Sequence, residues 1–489
     1  MKLRENSTQD SNRDGEVSHS GTTTRPRFIK YCMDEALKND SHQSGLRPVF
    51  SVAEFANRLA LLRQHMRERK LDLCILTSIH NIKYLTNFLY CSFGRPYALV
   101  VCLHRITLIS PAIDSFGPQR MIMRNGHKNQ WNLIYTDWKH SNFLAALKNS
   151  VFDSQTSLPR RIGIENDHMN IKLHAQMRAY CFKPTEVAVF VDVSVALMSQ
   201  RLVKSAEELK LIEAACKIAN RGCEALLQTA RIGRSEGDIA LQASGKIQEQ
   251  IALLFPWTEL RDTWVWMQSG VNTDGAHNAL TSKKLEHCDL LSFNCFPMVD
   301  GYYVAIERTG LIVNANLLYL EYCKKEVTSC ATQDWKRILC ANNFELLRKT
   351  CPTIDWILYY WKINIEVFEK GRSMLVAGVV VGDVAKQLNK IYEKYGVLGY
   401  RTFGYGHSFG ILCHYYGREL ILEIREDNST VLKPGMIISM EPHITVPQGL
   451  PGAGGYREHD ILLITERGNR NLTNFKYGPE EMIIFSESG

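Results

Sequence analysis

The hydrophobic pattern of this chain changes near residue 200, and that change limits its fold more than any other feature of the sequence. Before it, short apolar runs such as LDLCIL, ALVVCL, ITLIS and RIGIE alternate with polar and helical stretches, a pattern typical of an α/β domain. After it, strand-like runs with helices grouped between them indicate an α+β domain, with one sheet covered by helices. Because 489 residues exceed what one hydrophobic core usually organises, we predict two folded domains.

Helix start signals locate the beginning of each domain. Ser51 with Glu54, and Ser205 with Glu208, form S-x-x-E capping boxes before amphipathic segments. In the second segment, apolar residues recur at spacings of three and four over residues 209–223. This periodicity predicts a long amphipathic helix at the start of the second domain.

The predicted organisation has four parts. Residues 1–49 lack the apolar core of a signal peptide and are expected to form a disordered extension. A domain over residues 50–197 is followed by a domain over residues 198–485. Residues 310–355 hold four of the fourteen cysteines and show no clean period, which indicates an insertion in the second domain. The insertion begins directly after Thr309, and both an added functional segment and an error in the gene model would produce it.

The composition excludes several classes of function. The 58 basic and 51 acidic residues give a net charge of +7, spread along the chain without a long basic run, so we predict no nucleic-acid partner. No run reaches the ~18 apolar residues that span a bilayer, so we predict no membrane partner. The fourteen cysteines form no C-x-x-C and no zinc-finger spacing. Reduced thiols in a cytoplasmic protein are therefore expected.

Two charged residues interrupt the strand-like stretch GYYVAIERT. With a period of two, Glu307 shares a face with Tyr303, Ala305 and Thr309, while Arg308 points to the other face. A carboxylate on a buried strand face is costly unless a cation, a hydrogen-bond network or a ligand compensates it. A structural ion pair between Glu307 and Arg308 is one interpretation, although neighbouring strand residues point to opposite faces. The other is that the partner of Glu307 is a ligand.

Polar residues also concentrate in other stretches where apolar ones are expected. These are QSGVNTDGAHN with His277, YGHSFGILCHYYGRE with His407 and Arg418, SMEP with Glu441, and GGYREHD with His459. Together with FLYCSFGRPYALVV, they resemble the creatinases, a family of the pita-bread fold that also includes methionine aminopeptidases and prolidases. The resemblance covers residues 50–484 apart from the insertion. It implies an α/β N-terminal domain and a C-terminal domain with a curved antiparallel sheet covered by helices, and an α+β class overall.

The resemblance also implies that the metal site of the related peptidases is lost. Those enzymes hold two metal ions with two aspartates eleven residues apart, a histidine and two glutamates. Here the aspartate positions are Asn294 and Ala305 and the last glutamate position is His459, whereas His407 and Glu441 match. Amide and methyl groups do not replace bridging carboxylates for hard divalent cations. We therefore predict an enzyme without a metal or another cofactor.

A pocket with two glutamates suits creatine, a planar guanidinium cation that carries its own carboxylate. The resemblance implies that Glu307 and Glu441 clamp the guanidinium by paired hydrogen bonds. It also implies that Arg418 holds the carboxylate together with Arg95, which the second subunit of a homodimer contributes in trans. Phe93 is implied to enter the pocket from that subunit as well.

Hydrolysis of creatine to sarcosine and urea needs a group that takes a proton from water and returns it to the leaving nitrogen. A histidine suits both steps because imidazole titrates near working pH, and His277 matches the catalytic histidine of the family. Tyr303 matches a residue that lines the substrate pocket. His407 and His459 either orient the substrate or remain as packed relics of the metal site, and the sequence is compatible with both.

Three hypotheses from different classes follow. The first is a metal-independent creatinase, an amidinohydrolase. The second is a metal-dependent hydrolase of the same fold with a single zinc among its histidines and glutamates, and the missing aspartates weigh against it. The third is a non-catalytic binding or scaffold protein, which applies if the insertion disrupts the site.

Overall fold

The computed structural model describes most of the chain as two compact units, Met1–Gln200 and Arg201–Gly489. Each unit contains its own sheet and helices. The described residues are 26–33, 49–91, 93–115, 117–118, 121, 129–153, 159–182, 188–260, 262–323, 344–414, 417 and 419–486.

The first unit is built on a seven-stranded mixed sheet. Its strands are β1 Phe28–Cys32, β2 Leu73–Leu76, β3 Ala98–Cys102, β4 Ile106–Pro111, β5 Gln130–Tyr135, β6 Arg161–Ile164 and β7 Val189–Asp192. They lie in the order β1-β5-β4-β3-β2-β6-β7. The described helices between them are α1 Val52–Glu68, α2 Ile79–Thr86, α3 Ser141–Asp153, α4 Ile171–Cys181 and α5 Ser194–Leu202.

The predicted start of the first domain is confirmed at α1. Ser51 Oγ accepts a hydrogen bond from the backbone N–H of Glu54 at 3.1 Å, which satisfies one of the free donors at the helix start. Phe55, Leu59 and Met66 on one helical face are buried, as their spacing predicts. Strand β2 lies between β3 and β6 and is buried at every position.

The prediction of a disordered extension over residues 1–49 is wrong for one segment. Strand β1, Phe28–Cys32, pairs antiparallel with β5 along its whole length. The sequence FIKYC is rich in β-branched and aromatic residues, so a short strand signal was present inside the polar surroundings. Residues 1–25 and 34–48 lie outside the described residues.

The second unit begins with two long helices. The capping box predicted at Ser205 and Glu208 is present in both directions, and it starts α6, Ala206–Thr229. Ile212, Cys216 and Cys223 lie on the buried face of that helix. The described helices of this unit are α6 Ala206–Thr229, α7 Glu236–Leu254, α8 Ala315–Cys323, α9 Glu345–Thr350, α10 Ile354–Met374, α11 Val381–Lys394 and α12 Pro479–Met482.

The larger sheet of the second unit has eight strands. In the described part of the unit these are β8 Trp264–Ser269, β9 Leu290–Phe296, β12 Ile306–Asn314, β13 Ile437–Met440, β14 His443–Val446, β15 Gly454–Thr465, β16 Gly468–Asn471 and β17 Ile483–Ser486. Two short strands, β10 Met298–Val299 and β11 Tyr302–Tyr303, pair with each other. Strand β15 is central to this sheet, because it pairs antiparallel with β12, β13, β14 and β16.

The strand that carries Glu307 differs from its prediction at both ends. The stretch is not one strand from Tyr303 to Thr309, because β11 ends at Tyr303 and β12 begins at Ile306. The predicted insertion was expected to interrupt the strand after Thr309, but β12 continues to Asn314. Its last four residues pair in parallel with β17. The strand beside Glu307 is therefore intact.

Arg308 belongs to a buried network on the opposite side of β12 from Glu307. Its side chain is fully buried, and Nη2 donates to Asp460 Oδ1 at 2.6 Å. Nε donates to the backbone oxygen of Lys476 at 2.9 Å, and Nη1 donates to the backbone oxygen of His459 at 2.7 Å. The side-chain partner of Arg308 is thus Asp460. A side-chain ion pair between Glu307 and Arg308 is wrong.

Two glycines on β15 allow another segment to approach the sheet closely. A Cβ on Gly455 would lie 2.0 Å from the backbone oxygen of Thr273, and a Cβ on Gly454 would lie 2.7 Å from Thr273 Oγ1. Thr273 belongs to the 3-10 helix Gly270–Asp274, which leads into the turn that carries His277. The GG pair of the motif GGYREHD therefore positions the His277 turn against β15.

No helix in the described part of the chain is long and apolar enough to cross a membrane. The described cysteines are free thiols, and most of them are buried. Cys223 and Cys295 lie in the core with a sulfur to sulfur distance of 3.7 Å.

Candidate active site

Glu307 lies on β12 directly opposite His459 on β15 and Asn294 on β9. Paired residues on neighbouring strands share one face of a sheet, so these three side chains are gathered by the strand register. Glu307 Oε2 lies 3.9 Å from His459 Nδ1. The side chain of Glu307 is 13% exposed, whereas that of His459 is fully buried.

A second carboxylate reaches the same histidine from the end of β13. The backbone N–H of Glu441 donates to Tyr405 O at 2.9 Å, which fixes the position of this residue. Glu441 Oε2 lies 3.1 Å from His459 Nδ1, and Glu441 Oε1 lies 3.4 Å from His407 Nε2. Glu307 and Glu441 therefore both face His459, and Glu441 also links it to His407.

The orientation of His407 is fixed by its backbone neighbours. His407 Nδ1 lies 2.8 Å from the backbone oxygen of Ser408. Because a carbonyl oxygen only accepts hydrogen bonds, Nδ1 carries a proton and donates it. Nε2 is therefore the atom directed into the site, where it lies 3.4 Å from His414 Nδ1.

The charges of the site determine the protonation of Glu307 and His459. Burial alone would raise the pKa of Glu307. The hydrogen bonding and positive charge of His459 oppose this effect, together with the charges of Arg457 and His414, and they hold the pKa of Glu307 at about 2. Burial alone would lower the pKa of His459, but the negative charges of Glu441 and Glu307 outweigh it and raise that pKa. Glu307 is thus an ionised carboxylate beside a histidine that favours its protonated form.

Both ring nitrogens of His459 have unused hydrogen-bonding capacity. They are buried and make no hydrogen bond of good geometry to the described residues, although Nδ1 faces the carboxylates of Glu307 and Glu441. A buried polar atom without a partner is costly. Because the protonated ring only donates, Nε2 suits an acceptor atom of a bound ligand.

His277 lies on the exposed turn that follows the 3-10 helix. Its ring packs edge to face on Trp266 of β8, with 5.6 Å between the ring centroids. Glu307 also acts on a further histidine, His443 of β14, where its negative charge favours the protonated form. Burial, with the charge of Arg457, lowers the pKa of His443 to about 3.

A stack of aromatic rings forms one wall beside the carboxylates. His414 stacks on Phe296 with 5.0 Å between centroids and on His407 with 5.3 Å. Phe296 in turn stacks on Trp264 at 4.2 Å. Flat apolar faces next to two carboxylates suit a planar cation.

The remaining predicted site residues are not gathered at this cluster by the described structure. Tyr303 is fully buried, and its hydroxyl donates to the backbone oxygen of Asp262 at 2.8 Å. Phe93, which is 80% exposed, and Arg95, whose Nε donates to Asp137 Oδ2 at 2.8 Å, belong to the first unit. Arg418 lies outside the described residues.

The donor set does not fit a dinuclear metal site. The amide of Asn294 faces Ser292, whose Oγ is 3.4 Å from Asn294 Oδ1, and Ala305 offers no donor atom. His459 supplies a nitrogen where the related peptidases have a carboxylate. Among the described residues no group of three or more histidine, cysteine, aspartate or glutamate side chains is arranged to hold a metal ion. Bridging two hard cations requires carboxylate oxygens that these positions lack.

Sequence reasoning misses three residues of this cluster, namely His414, His443 and Arg457. Each lies within or directly after a motif that the sequence analysis names, in HYYGRE, SMEP and GGYREHD. A search of every titratable residue in those motifs would find them. Their contacts with the named residues depend on the pairing of distant strands, which the motifs alone do not give.

Comparison with known proteins shows the family and the fold of this chain. The family model for the creatinase/prolidase N-terminal domain matches residues 58–203, and that for metallopeptidase family M24 matches residues 210–325 and 357–466. The chain is 44% identical to a creatinase of Bacillus sp. (strain B-0618) over 439 residues. This alignment covers 90% of this chain and 95% of the relative. This chain belongs to the creatinase family. The predicted family resemblance is thereby confirmed.

Solved structures share the fold of this creatinase-family chain. The prolidase of Pyrococcus horikoshii OT3 has a TM-score of 0.62 at 20% identity, covering 87% of this chain and 100% of that one. The dipeptidase PepE of Mycobacterium ulcerans has a TM-score of 0.65 at 18% identity, covering 89% of this chain and 99% of that one. These similarities confirm the predicted fold class, an N-terminal creatinase-type domain followed by a pita-bread domain.

The family match leaves a gap in the region of the predicted insertion. The M24 match stops at residue 325 and resumes at residue 357, so residues 326–356 of this creatinase-family chain, the added segment, lie outside it. Residues 310–314 of the insertion predicted at about 310–355 complete β12, and α8 lies within the match, so the bounds of the insertion stay a prediction. Residues 326–343 of the added segment lie outside the described residues.

The opposed pKa shifts of Glu307 and His459 predict a pH window for the stability of this pair. The pKa of Glu307 is about 2 against an ordinary 4.5, so its contribution is present above 4.5 and is lost as the pH falls towards 2. Because the pKa of His459 is raised in the folded chain, this histidine contributes to the free energy of unfolding. The contribution is complete below the ordinary pKa of 6.5 and is lost as the pH rises through the pKa of the folded state. The free energy of unfolding of Glu307→Gln should therefore differ most from that of the unmodified chain between pH 4.5 and 6.5.

Urea unfolding of both proteins at several pH values measures this difference. Glu249→Gln is the matched control, because Glu249 is an exposed glutamate paired with Lys246, and exposed pairs contribute little. A Glu307→Gln difference that stays constant from pH 3 to pH 5 would contradict the assigned direction of the pKa shift.

Proposed function

We propose that this chain hydrolyses creatine to sarcosine and urea at the cluster of Glu307, Glu441 and His459. The observation that carries the proposal is a pair of carboxylates facing one buried histidine, in a chain 44% identical to a creatinase. Intact β12 argues against the scaffold hypothesis, because the added segment does not interrupt the strand that holds Glu307.

Glu307 and Glu441 bind the guanidinium of creatine. Each carboxylate accepts N–H donors from the planar cation, and each such charge-assisted contact contributes roughly 1.5 to 3 kcal/mol. The low pKa of Glu307 keeps it ionised throughout the physiological range. The inward Nε2 of His407 is an acceptor that can help to orient the bound cation, because Nδ1 carries the proton of that ring, whereas the protonated ring of His459 only donates and balances part of the charge of the two glutamates.

His277 moves the proton in the reaction. Water attacks the guanidinium carbon while His277 takes one of its protons. The bond between that carbon and the sarcosine nitrogen then breaks as the protonated His277 returns the proton to the leaving nitrogen. The remaining hydroxyl proton leaves as the carbonyl of urea forms, and the released amine of sarcosine takes up one proton. The products are urea and sarcosine, so the histidine ends as it began. The exposed position of the turn gives water access to this residue.

The carboxylate arm of creatine requires cations from outside the Glu307 cluster. Arg418 supplies one and Arg95 of a second subunit supplies the other, so the active unit is a homodimer. Phe93 enters the pocket beside Arg95, and its 80% exposure in the single chain supports an interface role. The protein acts in the cytoplasm, in keeping with its free thiols.

Creatine should yield urea when it is incubated with the purified chain. His277→Ala should lower the rate by about 10²- to 10⁴-fold, the usual contribution of a general acid and base. His140→Ala is the matched control, since His140 is an exposed histidine of the first unit, and it should keep the full rate. Absence of urea from a folded, unmodified chain would refute the proposed function.

Activity should persist without metal, because Asn294, Ala305 and His459 occupy three ligand positions of the related peptidases. Prolonged treatment with a chelator followed by assay of urea release should leave the rate unchanged. Loss of activity that zinc, cobalt or manganese restores would instead favour the metal-dependent hydrolase.

Mixing of two inactive variants tests the shared site. Arg95→Ala and Glu307→Ala are prepared separately, mixed in equal amounts and allowed to exchange subunits. If Arg95 acts in trans, each mixed dimer has one site with both defects and one with neither. Half of the dimers are mixed, so activity should return to about a quarter of the unmodified level, from random pairing in a two-fold dimer. No recovery despite demonstrated exchange would place Arg95 in its own subunit.

A further inference from the structure

Arg457 is a buried arginine with no carboxylate beside its charge. It lies on β15 and is 1% exposed, and its side-chain hydrogen bonds go to neutral acceptors. Among the described residues no carboxylate oxygen lies within 4.0 Å of its guanidinium nitrogens. Arg308 on β12 is equally buried but pairs with Asp460 at 2.6 Å. Because burial of an unpaired charge is costly, the position of Arg457 requires a reason other than stability.

The guanidinium of Arg457 holds the turn that carries His277. Nη2 donates to the backbone oxygen of Thr273 at 2.7 Å, and Nη1 donates to the backbone oxygen of Ala276 at 3.4 Å. Ala276 directly precedes His277, and Thr273 lies in the 3-10 helix that leads into the turn. Arg457 therefore fixes the backbone that leads into the histidine.

Gln268 on β8 holds the other side of the same turn. Its Oε1 accepts a hydrogen bond from Arg457 Nη1 at 2.8 Å. Its Nε2 donates to the backbone oxygens of Gly275 at 3.0 Å and Asn278 at 3.1 Å. Two interlocked side chains from two strands thus bind carbonyl groups on both sides of His277, although the turn itself is exposed.

The same guanidinium acts on two charged or titratable neighbours of the site. Its Nε lies 3.4 Å from His443 Nε2, and because a guanidinium only donates, that nitrogen of His443 accepts. The positive charge of Arg457 also helps to keep Glu307 ionised. The location of Arg457 thus joins the His277 turn to the carboxylate strand.

We propose that Arg457 is a positioning residue for the hydrolysis. Through Thr273, Ala276 and Gln268 it fixes the turn that presents His277 to the bound guanidinium. This inference rests on the proposed function, in which His277 moves the proton. A planar guanidinium forms several directed bonds at once, which a lysine ammonium on a flexible stem does not.

The first test is a double-mutant cycle on the rate of urea release from creatine. Arg457→Lys keeps the charge but loses the forked geometry, and kcat should fall about 100-fold, the scale of a 1 Å misplacement. KM should change by less than about threefold, because the glutamates that bind the cation are unchanged. In a His277→Ala background, Arg457→Lys should cause little further loss, because the residue acts through His277.

Arg308→Lys is the matched control for this cycle. Arg308 is also a buried arginine, and it contacts the backbone of Glu307 and His459 rather than the His277 turn. Any loss of kcat in Arg308→Lys should therefore persist in full in the His277→Ala background. Equal persistence of the Arg457→Lys loss would overturn the positioning role.

Hydrogen exchange of the segment over residues 270–280 gives a readout that does not depend on catalysis. Amide exchange there should rise at least about tenfold in Arg457→Lys, because the hydrogen bonds that restrict opening of the turn are lost. It should stay unchanged in Arg308→Lys, which keeps those hydrogen bonds. Unchanged exchange in Arg457→Lys would overturn the inference even if His277→Ala is too slow to assay. If the unmodified chain releases no urea, the proposed function fails, and the exchange result still decides whether Arg457 fixes the turn.

Gln268→Met is the second variant if Arg457→Lys does not fold. It removes two hydrogen bonds to the turn and one acceptor of Arg457 without a change in charge. The same fall in kcat, the same loss of effect in His277→Ala and the same rise in exchange are expected. Gln268→Met with full kcat and unchanged exchange would overturn the inference.

Discussion

The pairing of β12 with β15 is the constraint on which the rest of the site depends. It places Glu307 directly opposite His459, where the charge of each offsets the desolvation of the other. The same register places Arg308 opposite Glu458 on the other face, where it pairs with Asp460. Because side chains alternate along a strand, a slip of one residue would exchange the two faces. The candidate site and the buried network behind it are therefore fixed together.

Two buried arginines on neighbouring strands, Arg308 on β12 and Arg457 on β15, differ in their hydrogen-bond partners. Arg308 is neutralised by Asp460 and holds backbone oxygens at the end of the sheet. Arg457 has only neutral acceptors, and two of them, the backbone oxygens of Thr273 and Ala276, belong to the segment that leads into His277. A charge that is buried without a carboxylate acts over a longer range, because the surroundings screen it weakly. Its effect reaches Glu307 and His443.

The residues at the metal-ligand positions of the related peptidases determine which cation the pocket favours. The family resemblance implies that Asn294, Ala305 and His459 stand where the related peptidases have two aspartates and one glutamate, which would remove three negative charges that metal ions balance. The carboxylates left beside His459 are Glu307 and Glu441. Two carboxylates with a neighbouring imidazolium and a stack of aromatic rings favour one planar organic cation over two hard dications.

The sequence by itself determined the two-domain organisation, the helix starts at Ser51 and Ser205, and the motifs that hold Glu307, Glu441 and His459, because capping, periodicity and motif wording are local properties. It did not predict the strand Phe28–Cys32 within the expected disordered extension or the continuation of β12 past Thr309, because pairing of β1 with β5 and of β12 with β17 joins residues far apart in the chain. Only the tertiary structure decided that Arg308 belongs to Asp460, that His459 lies between two carboxylates and that Arg457 holds the His277 turn. These are contacts between strands, whose register no single motif contains.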